Sequence, residues 1–129
     1  MSVPWRYMQE LLRSSAKIIS AEAMLPRSPG AVLNGRTVLC AGAQVVYQAA
    51  IRSMPPDGLT KLSENILRGG KSSILDYARQ LRLDASLVES LINLAERIDD
   101  VNRGTRMAHV LNALAEQPTP TDLRQLELT

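Results

Sequence analysis

Residues 73–103, SILDYARQLRLDASLVESLINLAERIDDVNR, hold the most regular apolar pattern of the chain. In the second half of this stretch, apolar residues recur at intervals of four, three, four and three positions: Leu87, Leu91, Leu94, Ile98 and Val101. This is heptad spacing, and neighbouring apolar residues widen the stripe enough for burial. The pattern predicts a short helix from Ile74, a tight turn at Arg82–Asp84, and a long helix that ends at Arg103.

Length and composition restrict the class of protein. The chain has 129 residues, which fits one domain with a single modest core. No apolar run approaches the roughly 18 residues of a membrane span, and the N-terminal segment lacks the apolar stretch of a secretory signal. The single cysteine, Cys40, cannot form an internal disulfide, which fits a reducing compartment. We therefore expect a cytoplasmic protein that makes no contact with membranes.

Helical spacing of apolar residues also occurs outside this stretch. The additional predicted helices run from the cap Ser2 to about Leu25, over Val38–Met54, over Leu59–Arg68, and from the cap Thr105 to the prolines at 118 and 120. Asp57 is the predicted cap of the third helix, and Ser72 or Ser73 that of the helix at the start of the central stretch. Small residues around Gly42 predict a close approach of the Val38–Met54 helix to another helix.

The segment between the first two helices allows two interpretations. Residues 26–36, PRSPGAVLNGR, are rich in proline and glycine and are typical of a loop. Asn34-Gly35 lies between two apolar triplets, which is also typical of a small β-hairpin over 31–39. Together these patterns predict an all-α fold, a compact bundle of five to six helices with the helix–turn–long-helix unit at its centre. We expect one domain over 1–117 and a short tail over 118–129.

Few side chains are suited to catalysis. His109 is the only histidine, so a metal site of several His and Cys ligands cannot form. Cys40 lies in an apolar segment, which is more typical of a small core residue than of a nucleophile. The carboxylates from Asp84 to Asp100 are spread along one helix and do not face each other across a cleft. We therefore predict no enzymatic activity, no metal, no cofactor and no small-molecule substrate.

Charge is distributed unevenly along the chain. Residues 1–71 carry nine Lys/Arg and four Asp/Glu, whereas residues 72–129 carry six and nine. The central stretch has the apolar spacing of a DNA-binding helix–turn–helix, with Arg82 where the turn usually has glycine. The exposed positions of its second helix include Asp84 and Glu89 but no Lys or Arg, which disfavours DNA reading by that helix. The candidate nucleic-acid-binding residues are instead Arg68, Lys71, Arg79, Arg82, Arg103 and Arg106.

From Tyr7 to Asn102 the order of features resembles FlhD, the D subunit of the bacterial flagellar master regulator, and its relatives on conjugative elements. The similar segments are LLRSSAKIISAEAM at 11–24, DGLTKLSENIL at 57–67 and LVESLINLAERIDDVN at 87–102. Where that family has a stretch with Cys and Phe after the second segment, this chain has Arg68–Ser73. The resemblance implies a helical dimer that activates transcription together with a second, DNA-contacting subunit.

These observations lead to two predictions of function. The first is a non-enzymatic regulatory subunit of a bacterium or mobile element, which dimerises and assists a protein partner on duplex DNA. Its dimer face would be the heptad stripe, although burial within the chain is the commoner outcome for such a stripe: Leu87, Leu91, Leu94, Ile98 and Val101. The alternative is a small inhibitor or adaptor that binds another protein through the acidic helix face, without nucleic acid.

Overall fold

The computed structural model describes residues 2–23, 41–98 and 103–120, and in these ranges the chain is helical without strands. The helices are α1 (Trp5–Ala23), α2 (Ala41–Ser53), α3 (Pro56–Gly69), α4 (Lys71–Gln80), α5 (Ala85–Arg97) and α6 (Arg103–Ala115). The predicted all-α fold is therefore confirmed. The hairpin or loop predicted over 31–39 lies outside the described residues, as does Cys40. None of the described helices combines the length and hydropathy needed to cross a bilayer.

The packing of α1 on α6 brings the two ends of the described chain together. The two helices pack along each other, and α1 also packs on α2. Polar side chains of α1 donate to carbonyl groups at and just beyond the C-terminal end of α6: Gln9 Nε2 to the Ala115 carbonyl at 2.9 Å, and Trp5 Nε1 to the Gln117 carbonyl at 2.8 Å. The last carbonyls of a helix have no partner within the helix, so the bond from Gln9 satisfies one of them.

Helix α2 crosses α5 closely because it carries small residues. Eight of its 13 residues are buried. A Cβ atom placed on Gly42 would lie 2.9 Å from the carbonyl oxygen of Val88 and 2.5 Å from Cγ1 of Ile92, both on α5. Real Cβ atoms do not approach other atoms so closely, so the crossing distance requires glycine at this position. The close helix approach predicted around Gly42 is confirmed.

Several helices do not begin at the predicted caps. α3 begins at Pro56, which needs no backbone donor in the first turn, and Asp57 lies inside the helix instead of capping it. α4 begins at Lys71 after Gly70, so neither Ser72 nor Ser73 is its cap. α1 begins at Trp5, after Pro4 instead of Ser2, and α6 begins at Arg103 instead of Thr105. Helices α3, α4 and α6 thus begin before the side chain that the sequence suggested as cap, whereas α1 begins after it.

The helix predicted to run to Arg103 is shorter in the structure. α5 ends at Arg97, and Ile98 has extended backbone angles, with φ −98° and ψ 137°. α5 therefore has 13 residues and α4 has ten. Residues 99–102, which include Val101, lie outside the described part. Of the predicted heptad stripe, the first three residues lie on α5 and Ile98 follows it.

Candidate interaction site

The turn between α4 and α5 is closed by backbone hydrogen bonds. The Leu83 amide donates to the Ala78 carbonyl at 2.9 Å, and the Arg82 amide donates to the Arg79 carbonyl at 3.0 Å. This pair of bonds is the Schellman motif that ends many helices. In this motif the residue before the last donor needs a left-handed backbone. Here that residue is Arg82, which has φ 61°. Arginine therefore adopts the conformation that glycine usually supplies in this turn.

Two further contacts fix the position of this turn. The Val3 amide, just before α1, donates to the Arg82 carbonyl at 2.9 Å. On the other side of the turn, the Asp84 carboxylate accepts a hydrogen bond from the Leu87 amide at 3.1 Å and so caps α5. The backbone between α4 and α5 is therefore anchored both to α5 and to the N-terminal segment.

The described heptad residues belong to the core of the chain. Between 0% and 6% of their surface is exposed: Leu87, Leu91, Leu94 and Ile98. A dimer face must be accessible in the separate subunit, and these side chains are covered by other helices of the same chain. The interpretation as core therefore accounts for these four residues, and they leave no open apolar face for a second copy.

The outward face of α5 is polar and acidic. Its exposed residues recur at helical spacing, at Ser86, Glu89, Asn93 and Glu96, and the exposed Arg97 follows them in the last turn. Lys71, from the first turn of α4, lies against this face, and its Nζ donates to Asn93 Oδ1 at 3.0 Å. The same Nζ is 3.8 Å from Glu89 Oε1. Both charged side chains of this ion pair remain partly exposed, so its contribution to stability is small.

The predicted basic residues do not form a single patch. Lys71 faces α5, whereas Arg79 pairs with Asp76 on its own helix at 3.2 Å. Arg68, in the last turn of α3, and Arg82, just after α4, are both exposed, and α4 between them is about 15 Å long for ten residues. Arg106 is exposed on α6, beside the exposed His109, and the side chain of Arg103 is outside the described part. The described cations are thus distributed near the start of α4, near its end and on α6.

A polar groove lies between α3 and α4 and was not predicted from the sequence. Its volume is about 260 Å³, and its polar lining comes from both helices: Asn65, Arg68, Ser73, Asp76, Tyr77 and Gln80. Asn65 Nδ2 donates to the Tyr77 hydroxyl at 2.7 Å across the groove. Of these residues the sequence indicated Arg68 alone, because its charge stands out. The others become neighbours only through the reversal of the chain at Gly69-Gly70.

A scan against protein-family models gives no match to this chain, and no curated protein or solved structure matches it significantly. The resemblance to FlhD-like subunits therefore stays a prediction.

Proposed function

We propose that the protein is a non-enzymatic regulatory subunit that acts through contact with a protein partner and assists that partner in binding DNA. The observation that carries this proposal is the division of charge around α4 and α5. The helix after the turn has an outward face with Glu89 and Glu96, its exposed arginine, Arg97, lies in the last turn, and Lys71 of α4 bonds to the same face. A partner would therefore supply most of the DNA contacts.

The strength of DNA binding depends mainly on how many phosphates a protein neutralises. Arg68 lies on the last turn of α3 and Arg82 just after α4, so the ten-residue helix α4 lies between them along the chain, and the exposed carboxylate of Glu89 lies on α5. Such an arrangement supports one or two phosphate contacts in a joint complex but gives weak binding alone. The resemblance to FlhD-like subunits, which work with a DNA-contacting subunit, points in the same direction.

The test is reconstitution with the natural partner. The tagged full chain is used to capture proteins from the native cell, the captured partner is purified, and binding to fluorescent duplex DNA is measured by anisotropy over a range of salt concentrations. We expect the pair to bind DNA at least about tenfold more tightly than the partner alone, or about 1.4 kcal/mol. The chain alone should bind weakly, with a shallow dependence on salt. Equal DNA binding by the partner with and without the chain would contradict the proposal.

A second candidate function is an inhibitor or adaptor that uses the outward face of α5 without nucleic acid. The observation in its favour is the position of Lys71, whose ammonium group bonds Asn93 and approaches Glu89. A basic side chain of a partner could occupy the same place. The double variant Glu89→Gln, Glu96→Gln should then weaken capture of the partner in nuclease-treated extracts. Unchanged capture by this variant would remove the second candidate.

A further inference from the structure

The groove between α3 and α4 is too small and too polar for a typical small-molecule site. Such sites usually enclose about 300–1,000 Å³ and are lined mainly by apolar side chains. This groove has a volume of about 260 Å³, and its lining is dominated by polar residues of α3 and α4. A space of this size accommodates one side chain from another molecule more readily than it accommodates a free ligand.

The hydrogen-bonding groups of the groove favour an acceptor. The Tyr77 hydroxyl already accepts a hydrogen bond from Asn65 Nδ2 at 2.7 Å, so its own hydrogen is available to donate. The same bond holds the tyrosine ring in position. The hydroxyl of Ser73 lines the groove one helical turn before Tyr77. Two hydroxyl donors therefore lie along one side of the space.

The charge of the groove favours an anion. Arg68 is the cation in the lining, and no carboxylate among the described residues lies within ion-pair distance of it. The one carboxylate in the lining, Asp76, is paired with Arg79 at 3.2 Å. Arg68 therefore remains available, and its planar guanidinium matches the geometry of a carboxylate.

We propose that this groove docks a carboxylate side chain, an aspartate or glutamate, of the partner protein. This inference rests on the proposed function, in which the chain acts through protein contact. A DNA backbone fits less well, because DNA binding depends on several cations along the surface and this groove offers only Arg68, with Asp76 beside it. Tyrosine and arginine are also the residues most often dominant in protein interfaces.

The test uses small mimics and the full-length chain labelled with ¹⁵N. N-acetyl-glutamate N-methylamide represents a partner's acidic side chain, its glutamine counterpart is the neutral control, and dimethyl phosphate represents a DNA phosphate of equal charge. We expect the glutamate mimic to shift the signals of Asn65, Ser73 and Tyr77, with tighter binding than either other probe. Equal or tighter binding of dimethyl phosphate, equal binding of the neutral control, or the absence of a localised shift would overturn the proposal.

Two variants sharpen this result. Arg68→Gln should weaken binding of the glutamate mimic about threefold, the size expected of one partly exposed ion pair. Arg106→Gln removes an exposed charge on α6, away from the groove, and should leave binding unchanged. If the natural partner binds wild type and Arg68→Gln equally, the groove is not its docking site, although the proposed function stands. If the chain does not change the partner's binding to DNA, the proposed function is contradicted. The experiment with the glutamate mimic still tests whether the groove binds a carboxylate.

Discussion

The crossing of α2 with α5 and the turn between α4 and α5 both involve a position suited to glycine, but for different reasons. At the crossing, Gly42 has an ordinary helical backbone and is required because Val88 and Ile92 leave no space for a Cβ atom. At the turn, Arg82 is exposed and has space, but its φ of 61° belongs to the left-handed region. The first position is limited by packing and the second by backbone conformation.

This difference indicates how firmly each region is constrained. A steric conflict with the Val88 carbonyl cannot be relieved by rotating a side chain, so the crossing depends on glycine. A left-handed backbone costs a non-glycine residue about 1–2 kcal/mol. At Arg82 this cost is offset by bonds around the turn, including those from Leu83 to Ala78 and from Val3 to Arg82. The turn therefore tolerates a side chain where the crossing does not.

The largest loss of stability should come from a side chain introduced where α2 crosses α5. Gly42→Val introduces a branched side chain against the backbone of Val88, and we expect the free energy of unfolding to fall by about 3 kcal/mol through overpacking. Urea unfolding followed by circular dichroism measures this change. Gly58→Ala is the matched control, since its Cβ would meet only ordinary contacts, the nearest with Met54 at 3.6 Å. That substitution should be neutral or stabilising, and equal losses in both variants would contradict the close crossing.

At Gly70 the limit is backbone conformation, as at Arg82, but the residue present is glycine, as at the crossing. It has φ 60° and ψ −137°, a conformation that side chains rarely adopt, yet a Cβ there would contact nothing within 4 Å. We expect Gly70→Ala to lower the free energy of unfolding by about 2 kcal/mol through backbone strain alone. The same urea titration measures it. Unchanged stability would mean that the junction of α3 and α4 relaxes to another conformation.

Relief of the strain at the turn should stabilise the protein. Arg82→Gly removes the cost of the left-handed conformation, partly offset by the greater freedom of glycine in the unfolded chain, and we expect a gain of roughly 0.5–1 kcal/mol. Arg82→Ala removes the charge but keeps a Cβ atom, so it should show no such gain. If the two variants have the same stability, the backbone of Arg82 is not the source of strain.

The smallest effect should come from the surface ion pair beside the turn. Lys71→Gln removes the charge that approaches Glu89 at 3.8 Å, and we expect a loss below about 0.5 kcal/mol. The difference from wild type should shrink further in high salt, because exposed charges are screened. Thermal unfolding in low and high salt measures both quantities. A loss that is large and independent of salt would indicate a packing role for the lysine stem.

Local pattern was sufficient to predict that the described chain is helical and which face of α5 is buried. The apolar spacing around Leu91 identified a stripe that is buried, and the small residues around Gly42 identified the close crossing. The unusual turn residue Arg82 was also recognisable, since the spacing of the helix–turn–helix places glycine there. These features follow from periodicity within a few turns of one helix, which a sequence records directly.

Features that depend on distant parts of the chain were not predictable. The use of Trp5 and Gln9 to satisfy the end of α6 joins residues more than a hundred positions apart. The groove combines Asn65 with Tyr77 only because Gly69-Gly70 reverses the chain. Charge alone suggested that Arg68, Lys71 and Arg79 act together, whereas the helical phase directs Lys71 to α5 and pairs Arg79 with Asp76. Three-dimensional placement, not residue type, decides these cases.

The central claim is that the apolar stripe of α5 is buried within its own chain, so that function resides on the polar faces that remain. The most direct measurement is the urea unfolding midpoint over a hundredfold range of protein concentration. Because a core completed within one chain needs no second copy, the account predicts the same midpoint throughout. A midpoint that rises steadily with concentration would show that the fold depends on a partner copy and would contradict the account.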